Sequence, residues 1–115
     1  MKVRVSAISY LNTAPFVYGL ENHPVSGMIQ LEFVPPAITA AKLISGEADL
    51  GLVPVASIPY IPNPFIVSEY CIGAEGRVAS VLLCSGREVK DIERIYLDSE
   101  SRTSVLLTRI LCRDY

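Results

Sequence analysis

The chain has 115 residues, room for one domain at most. Its 10 Lys and Arg stand against 12 Asp and Glu, a net charge of −2, which excludes the basic footprint of a nucleic-acid-binding protein. Hydrophobic residues make up 50% and charged residues 19%, too apolar for a disordered chain. A membrane-spanning helix needs about 18 unbroken apolar residues, and no such run occurs.

Residues 2–9 read as a first strand, with Val3, Val5, Ala7 and Ser9 on one face. Asn12 is placed to cap a helix, and Pro15 falls in its first turn, where a missing N–H costs nothing. Residues 29–34 alternate as a second strand. Pro35 and Pro36 stop it and open a helix whose buried stripe is expected to be Ala37, Ala40, Ala41 and Ile44, closed by Gly46. Residues 48–53 read as a third strand, buried on both faces as in a parallel sheet. Pro54 ends it, residues 55–58 make one helical turn, and three prolines in residues 58–64 enforce a loop. Further strands are expected at 65–69, 78–85 and 94–98, with a polar connector over 87–93. A last helix from Arg102 to about Arg113 has Ser101 as its cap and Leu106, Leu107, Ile110 and Leu111 as its apolar stripe.

Strands alternating with helices give an α/β architecture. The mean hydropathy of +0.38 is high for so short a chain, and the last helix presents an apolar stripe in need of a partner. The chain is therefore expected to stop mid-fold and to self-associate through exposed apolar surface. Cys71, Cys84 and Cys112 are odd in number and widely spaced, which points to reduced, buried thiols and not to disulfides or a zinc site. No secretory signal is visible around Lys2 and Arg4, so a cytoplasmic location is expected. The single His23 lies in a turn and is expected to face solvent. No metal set, nucleophile elbow, GxGxxG or P-loop occurs, and no metal or cofactor is expected.

In open α/β sheets, ligands bind beyond the carboxyl ends of the strands. Three such ends carry small or polar residues: the run from Ser9 and Tyr10 to Asn12 and Thr13, the run from Gly51 through Val53, Pro54 and Val55 to Ser57, and the run from Asp98 to Ser104. In the third, Ser101, Thr103 and Ser104 cluster at a helix start beside Arg102. Backbone N–H groups, hydroxyls and a guanidinium there suit a carboxylate or phosphate, as against an ordinary cap with a solvated arginine. Asn12 is either a plain cap or an amide that orients a ligand oxygen; it is no base. Tyr10 is either a packing residue or a ligand contact. Ser80, inside an apolar run, needs a partner if buried, most simply a backbone group.

The segments Ser9-Tyr10-Leu11-Asn12-Thr13, Gly46-Glu47-Ala48-Asp49-Leu50-Gly51-Leu52-Val53-Pro54-Val55, Ser80-Val81-Leu82-Leu83 and Ser101-Arg102-Thr103-Ser104 occur in that order. Together they resemble the chorismate dehydratases of the futalosine route to menaquinone, over essentially the whole chain. The resemblance implies a two-lobed fold like type II periplasmic binding proteins, with a mixed or parallel sheet flanked by helices in the first lobe. It places residues 1–86 in that lobe, and 87–115 in a hinge connector and the first strand and helix of an incomplete second lobe. Members run to about twice this length, so the chain is expected to be an inactive fragment as it stands.

The implied reaction is loss of water from chorismate to give 3-[(1-carboxyvinyl)oxy]benzoate, with this dianion as the small-molecule partner and no membrane insertion. By resemblance, Ser9, Tyr10 and Asn12 line one wall, with Asn12 orienting the reacting centre. Val53, Pro54 and Val55 present backbone groups, Ser80 reaches in near the hinge, and Ser101, Arg102, Thr103 and Ser104 take a carboxylate. Glu100 is a poor neighbour for that anion unless it faces solvent. Two other readings remain: a non-catalytic carboxylate-binding protein of the same fold, and the sister dihydroxynaphthoate synthase, whose opening motif resembles Cys-Pro-Asn-Asp instead.

Overall fold

Three parallel strands in the order β2–β1–β3 organise the chain. A computed structural model describes residues 1–113. β1 (Val3–Ala7) is central, with β2 (Ile29–Phe33) on one side and β3 (Leu50–Gly51) on the other. β1 and β2 run in register from Val3 opposite Ile29 to Ala7 opposite Phe33, and β3 sets Leu50 beside Val5 and Gly51 beside Ser6. The pairing reaches past β3 at both ends: Asp49 donates its N–H to the Arg4 carbonyl, and Leu52 to that of Ser6.

The helices start and stop where local chemistry dictates. α1 (Ala14–Asn22) takes Pro15 in its first turn and ends before Pro24, since the residue ahead of a proline is driven to extended backbone; His23 has φ −107° and ψ 152°. The exposed His23 ring accepts a hydrogen bond from the Val25 N–H at 3.3 Å and caps the short 3-10 turn Pro24–Met28. α2 (Pro36–Ser45) begins on a proline and ends on Gly46 at φ 74°, a left-handed conformation that favours glycine. The Glu47 N–H then reaches back to the Lys42 carbonyl at 2.8 Å, closing a Schellman-type end. α3 (Arg102–Leu111) is capped by Ser101, whose Oγ accepts from the Ser104 N–H at 3.2 Å.

The core sits where α2 lies on the sheet. Val5, Ser6, Ala7, Ile8, Thr39, Ala40 and Ala48 are buried. The buried stripe of α2 is Pro36, Thr39 and Ala40, rotated from the expected set: Ala41 and Ile44 are exposed and Ala37 is half-buried. The rotation follows from a polar contact, as the Ser6 hydroxyl donates to Thr39 Oγ1 at 3.3 Å across the interface. Gly51 permits the close approach; a Cβ there would stand 2.8 Å from Thr39 Cγ2 and 3.1 Å from the Ser6 carbonyl oxygen.

Other expectations are corrected. β3 pairs over two residues and is half-buried, not buried on both faces, because it lies at the sheet edge with β1 as its one neighbour among the described residues. No strand forms at 65–69, 78–85 or 94–98 among the described residues. Residues 62–91 are all exposed, and a strand exists only against another backbone, which none of these segments has beside it. Cys71 and Cys84 are accordingly exposed and Cys112 half-buried, all three as free thiols and none fully buried. The radius of gyration, 16.9 Å, exceeds the roughly 13 Å of a compact chain this long, reflecting that extended stretch. On α3, Leu106 is half-buried, while Ile110 and Leu111 stand 68% and 65% exposed.

Candidate functional site

The chain leaves β1 for β2 on one side, then crosses back over β1 to reach β3 on the other. This reversal of strand order makes the carboxyl ends of β1 and β3 a topological switch point, the kind of place where open α/β sheets bind ligands. Ser9, Tyr10 and Asn12 follow β1; Val53, Pro54 and Val55 follow β3. The pairing of Ser6 with Gly51 therefore brings together two of the three candidate segments from opposite ends of a 45-residue stretch.

Both connections enter 3-10 turns, Leu11–Thr13 and Val55–Tyr60. The first is held by Thr13 N–H to the Tyr10 carbonyl at 3.0 Å and the second by Ser57 N–H to the Pro54 carbonyl at 2.8 Å. Ser9, Tyr10, Asn12 and Val55 are exposed, whereas Val53 and Pro54 are half-buried. Asn12 does not cap α1. That position belongs to Thr13, because the 3-10 turn carries the chain one residue further before the helix begins, and no side chain caps α1. The Asn12 amide forms no hydrogen bond among the described residues.

The helix that follows the third segment, α3, packs against the Val55–Tyr60 turn. Ser101 and Ser104 spend their hydroxyls on each other: Ser101 Oγ donates to Ser104 Oγ at 2.8 Å. Thr103 is exposed and Arg102 half-buried, with no ion pair to Arg102 among the described residues. Glu100 is exposed at the turn before the helix, its N–H bonded to Asp98 Oδ1 at 2.9 Å. Ser80 is not brought to this end by a strand; it is exposed within the extended stretch.

Sequence reasoning placed Thr13 and Ser57 only at the ends of two candidate runs and gave neither a role. Thr13 and Ser57 are 1% and 0% exposed, and Thr13 Oγ1 and Ser57 Oγ have no hydrogen-bond partner among the described residues. A buried hydroxyl left without a partner costs about 1–3 kcal/mol. Each falls the same number of residues past the end of its strand. That shared offset was the available signal, legible only once β1 and β3 are known to be neighbours.

The principal charges of the sheet are committed elsewhere. Arg4 forks onto Asp49, and Lys42 meets Glu32 with Nζ 2.7 Å from Oε1. The hydrogen bonds from Lys42 hold the Glu32 carboxyl below its ordinary range. These pairs tie α2 and the approach to β3 onto the strands. A separate hollow among Ser85, Arg87, Asp91 and Arg94 includes none of the candidate residues. Among the described residues, no three His, Cys, Asp or Glu side chains gather as a metal centre requires, and no helix is long and apolar enough to cross a membrane.

A protein-family model described as menaquinone biosynthesis matches residues 3–115. The chain belongs to that family. The match covers all three candidate segments. No curated protein and no solved structure matches the chain. For this menaquinone-biosynthesis family member, the parallel sheet flanked by helices is the observed architecture.

Proposed function

We propose that the protein is a chorismate dehydratase, acting at the neighbouring carboxyl ends of β1 and β3. The observation that carries the reading is the strand reversal, which sets the Ser9–Asn12 and Val53–Val55 segments side by side in a chain of the menaquinone-biosynthesis family. The β2–β1–β3 order also supports a first lobe of a type II binding-protein-like fold over residues 1–86, with 87–115 leading into a second lobe.

The chemistry suits such a site. The hydrogen on the ether-bearing ring carbon is allylic and vinylogous to the ring carboxylate, so removing it as a proton leaves a delocalised dienolate. Its electron pair then expels the neighbouring hydroxyl, which departs as water on taking up a proton, and the ring becomes aromatic. Aromatisation drives the step, and the protein's task is to orient the dianion and stabilise developing charge. Asn12, free of a capping bond, orients the reacting centre. Arg102 draws one carboxylate towards the start of α3, with Thr103 and the backbone N–H groups there. Ser9, Tyr10 and the backbone at Val53, Pro54 and Val55 line the wall. A substrate carboxylate or a water accepts the proton, since an amide cannot.

Incubating the protein with chorismate tests this directly. The expected result is an aromatic ultraviolet product lighter than the substrate by one water, an outcome that replaces the sequence-based expectation of an inactive fragment. Saturable binding without that product makes the protein a carboxylate-binding member of the same fold, and no binding removes the reading altogether.

A further inference from the structure

We propose that the hydroxyls of Thr13 and Ser57 are substrate-positioning groups, unpartnered in the free protein and satisfied by oxygen atoms of the bound ring carboxylate. The inference rests on the proposed substrate and adds two residues to its site. Three observations carry it. Both hydroxyls are sealed from solvent and lack a hydrogen-bond partner among the described residues, a state that buried polar groups rarely keep unless something else completes them. Both stand on the first turn after a strand, one beyond β1 and one beyond β3, at the switch point where the candidate residues gather. Both turns are 3-10 segments in which the N–H of the same residue closes an i to i+3 bond, Thr13 to Tyr10 and Ser57 to Pro54. Their i to i+3 bonds have poorer geometry than those of an α-helix. A ligand reaches the hydroxyls only if the turns give way. The unmet demand of the hydroxyls lowers the cost of that movement, because the closed turns hold no side-chain bond that must be broken.

A hydroxyl both donates and accepts, so its partner is an oxygen-rich ligand; a ring bearing a carboxylate and a hydroxyl fits. The test compares Thr13→Val and Ser57→Ala with the wild type by thermal unfolding and by titration with chorismate. Without ligand, both variants melt higher than wild type, because each loses an unsatisfied buried group. With chorismate, both bind about tenfold more weakly, the loss of one hydrogen bond to a charged ligand. Thr13→Ser and Ser57→Thr, which keep the hydroxyl, retain wild-type affinity. Lower melting or failure to fold in Thr13→Val and Ser57→Ala overturns the proposal, since it means the hydroxyls were satisfied all along. Unchanged affinity overturns it equally. Shikimate and 3-hydroxybenzoate separate this inference from the choice of substrate. If the wild type ignores chorismate but binds either of these, and the variants lose that binding, the positioning role stands and chorismate falls. If none of the three binds, both fall.

Discussion

Arg4 holds Asp49 in a fork: Nε bonds Oδ2 at 3.0 Å and Nη2 bonds Oδ1 at 2.6 Å, while the Arg4 main-chain N–H also donates to Oδ2 at 2.9 Å. Separated by 45 positions, the two residues clamp the entry to β3 against β1 and so help decide the strand order on which the site depends. The arginine hydrogen bonds pull the Asp49 carboxyl from the usual 3.8 down to about 2, and Arg4 is raised in turn.

A carboxyl lowered in the folded state binds fewer protons than in the unfolded chain, so its contribution to stability is fully present above pH 3.8 and disappears as the pH falls towards 2. Both side chains are nearly half exposed, so the contribution is modest and screened by salt. The difference in melting temperature between wild type and Asp49→Asn is expected to shrink across that acid window, and to be smaller in 1 M salt than in dilute buffer. A difference that stays constant down to pH 2 counts against the fork.

Two glycines offer opposite outcomes. Gly51→Ala drives a methyl group into Thr39 and the Ser6 backbone and is expected to destabilise the fold by about 1–3 kcal/mol in urea unfolding. Gly19, inside α1 with open space around it, is expected to stabilise by about 0.5–1 kcal/mol when changed to Ala.

Asn12→Ala removes an exposed amide with no structural bond, so stability should hold within about 0.5 kcal/mol. On the proposed function, turnover of chorismate should fall about a hundredfold, because Asn12 is the proposed orienting group. Steady-state rates on the two proteins check this, and unchanged turnover rejects the role.

Ser101→Ala deletes the α3 cap and is expected to cost about 1 kcal/mol, with a loss of helical circular dichroism. Ser101→Asp keeps an acceptor for the Ser104 N–H and should restore the helix, yet it adds a negative charge beside Arg102 and should weaken chorismate binding. The split between helicity and affinity separates the cap from the anion site.

Much of this molecule is written locally. Pro36 and Gly46 delimit α2, Pro15 and Pro24 bracket α1, and Ser101 opens α3, each through a constraint acting within a few residues of itself. Alternation in residues 3–7 and 29–33 likewise announces two strands. The apolar segments at 65–69 and 78–85 misled the same reasoning, because their composition suits a strand but no neighbouring backbone stands beside them. The Asn12 cap was misjudged by one residue, the difference a tight 3-10 turn makes.

Sequence alone determined the α/β class, the helix ends and the family-like motifs, because backbone restriction and capping need no distant partner. Tertiary structure decided that β3 crosses to the far side of β1, that Thr39 rather than Ala41 faces the sheet, and that Thr13 and Ser57 are buried without partners. Those outcomes depend on which surfaces meet across tens of residues, a competition among hydrogen bonds and close contacts that no local pattern encodes.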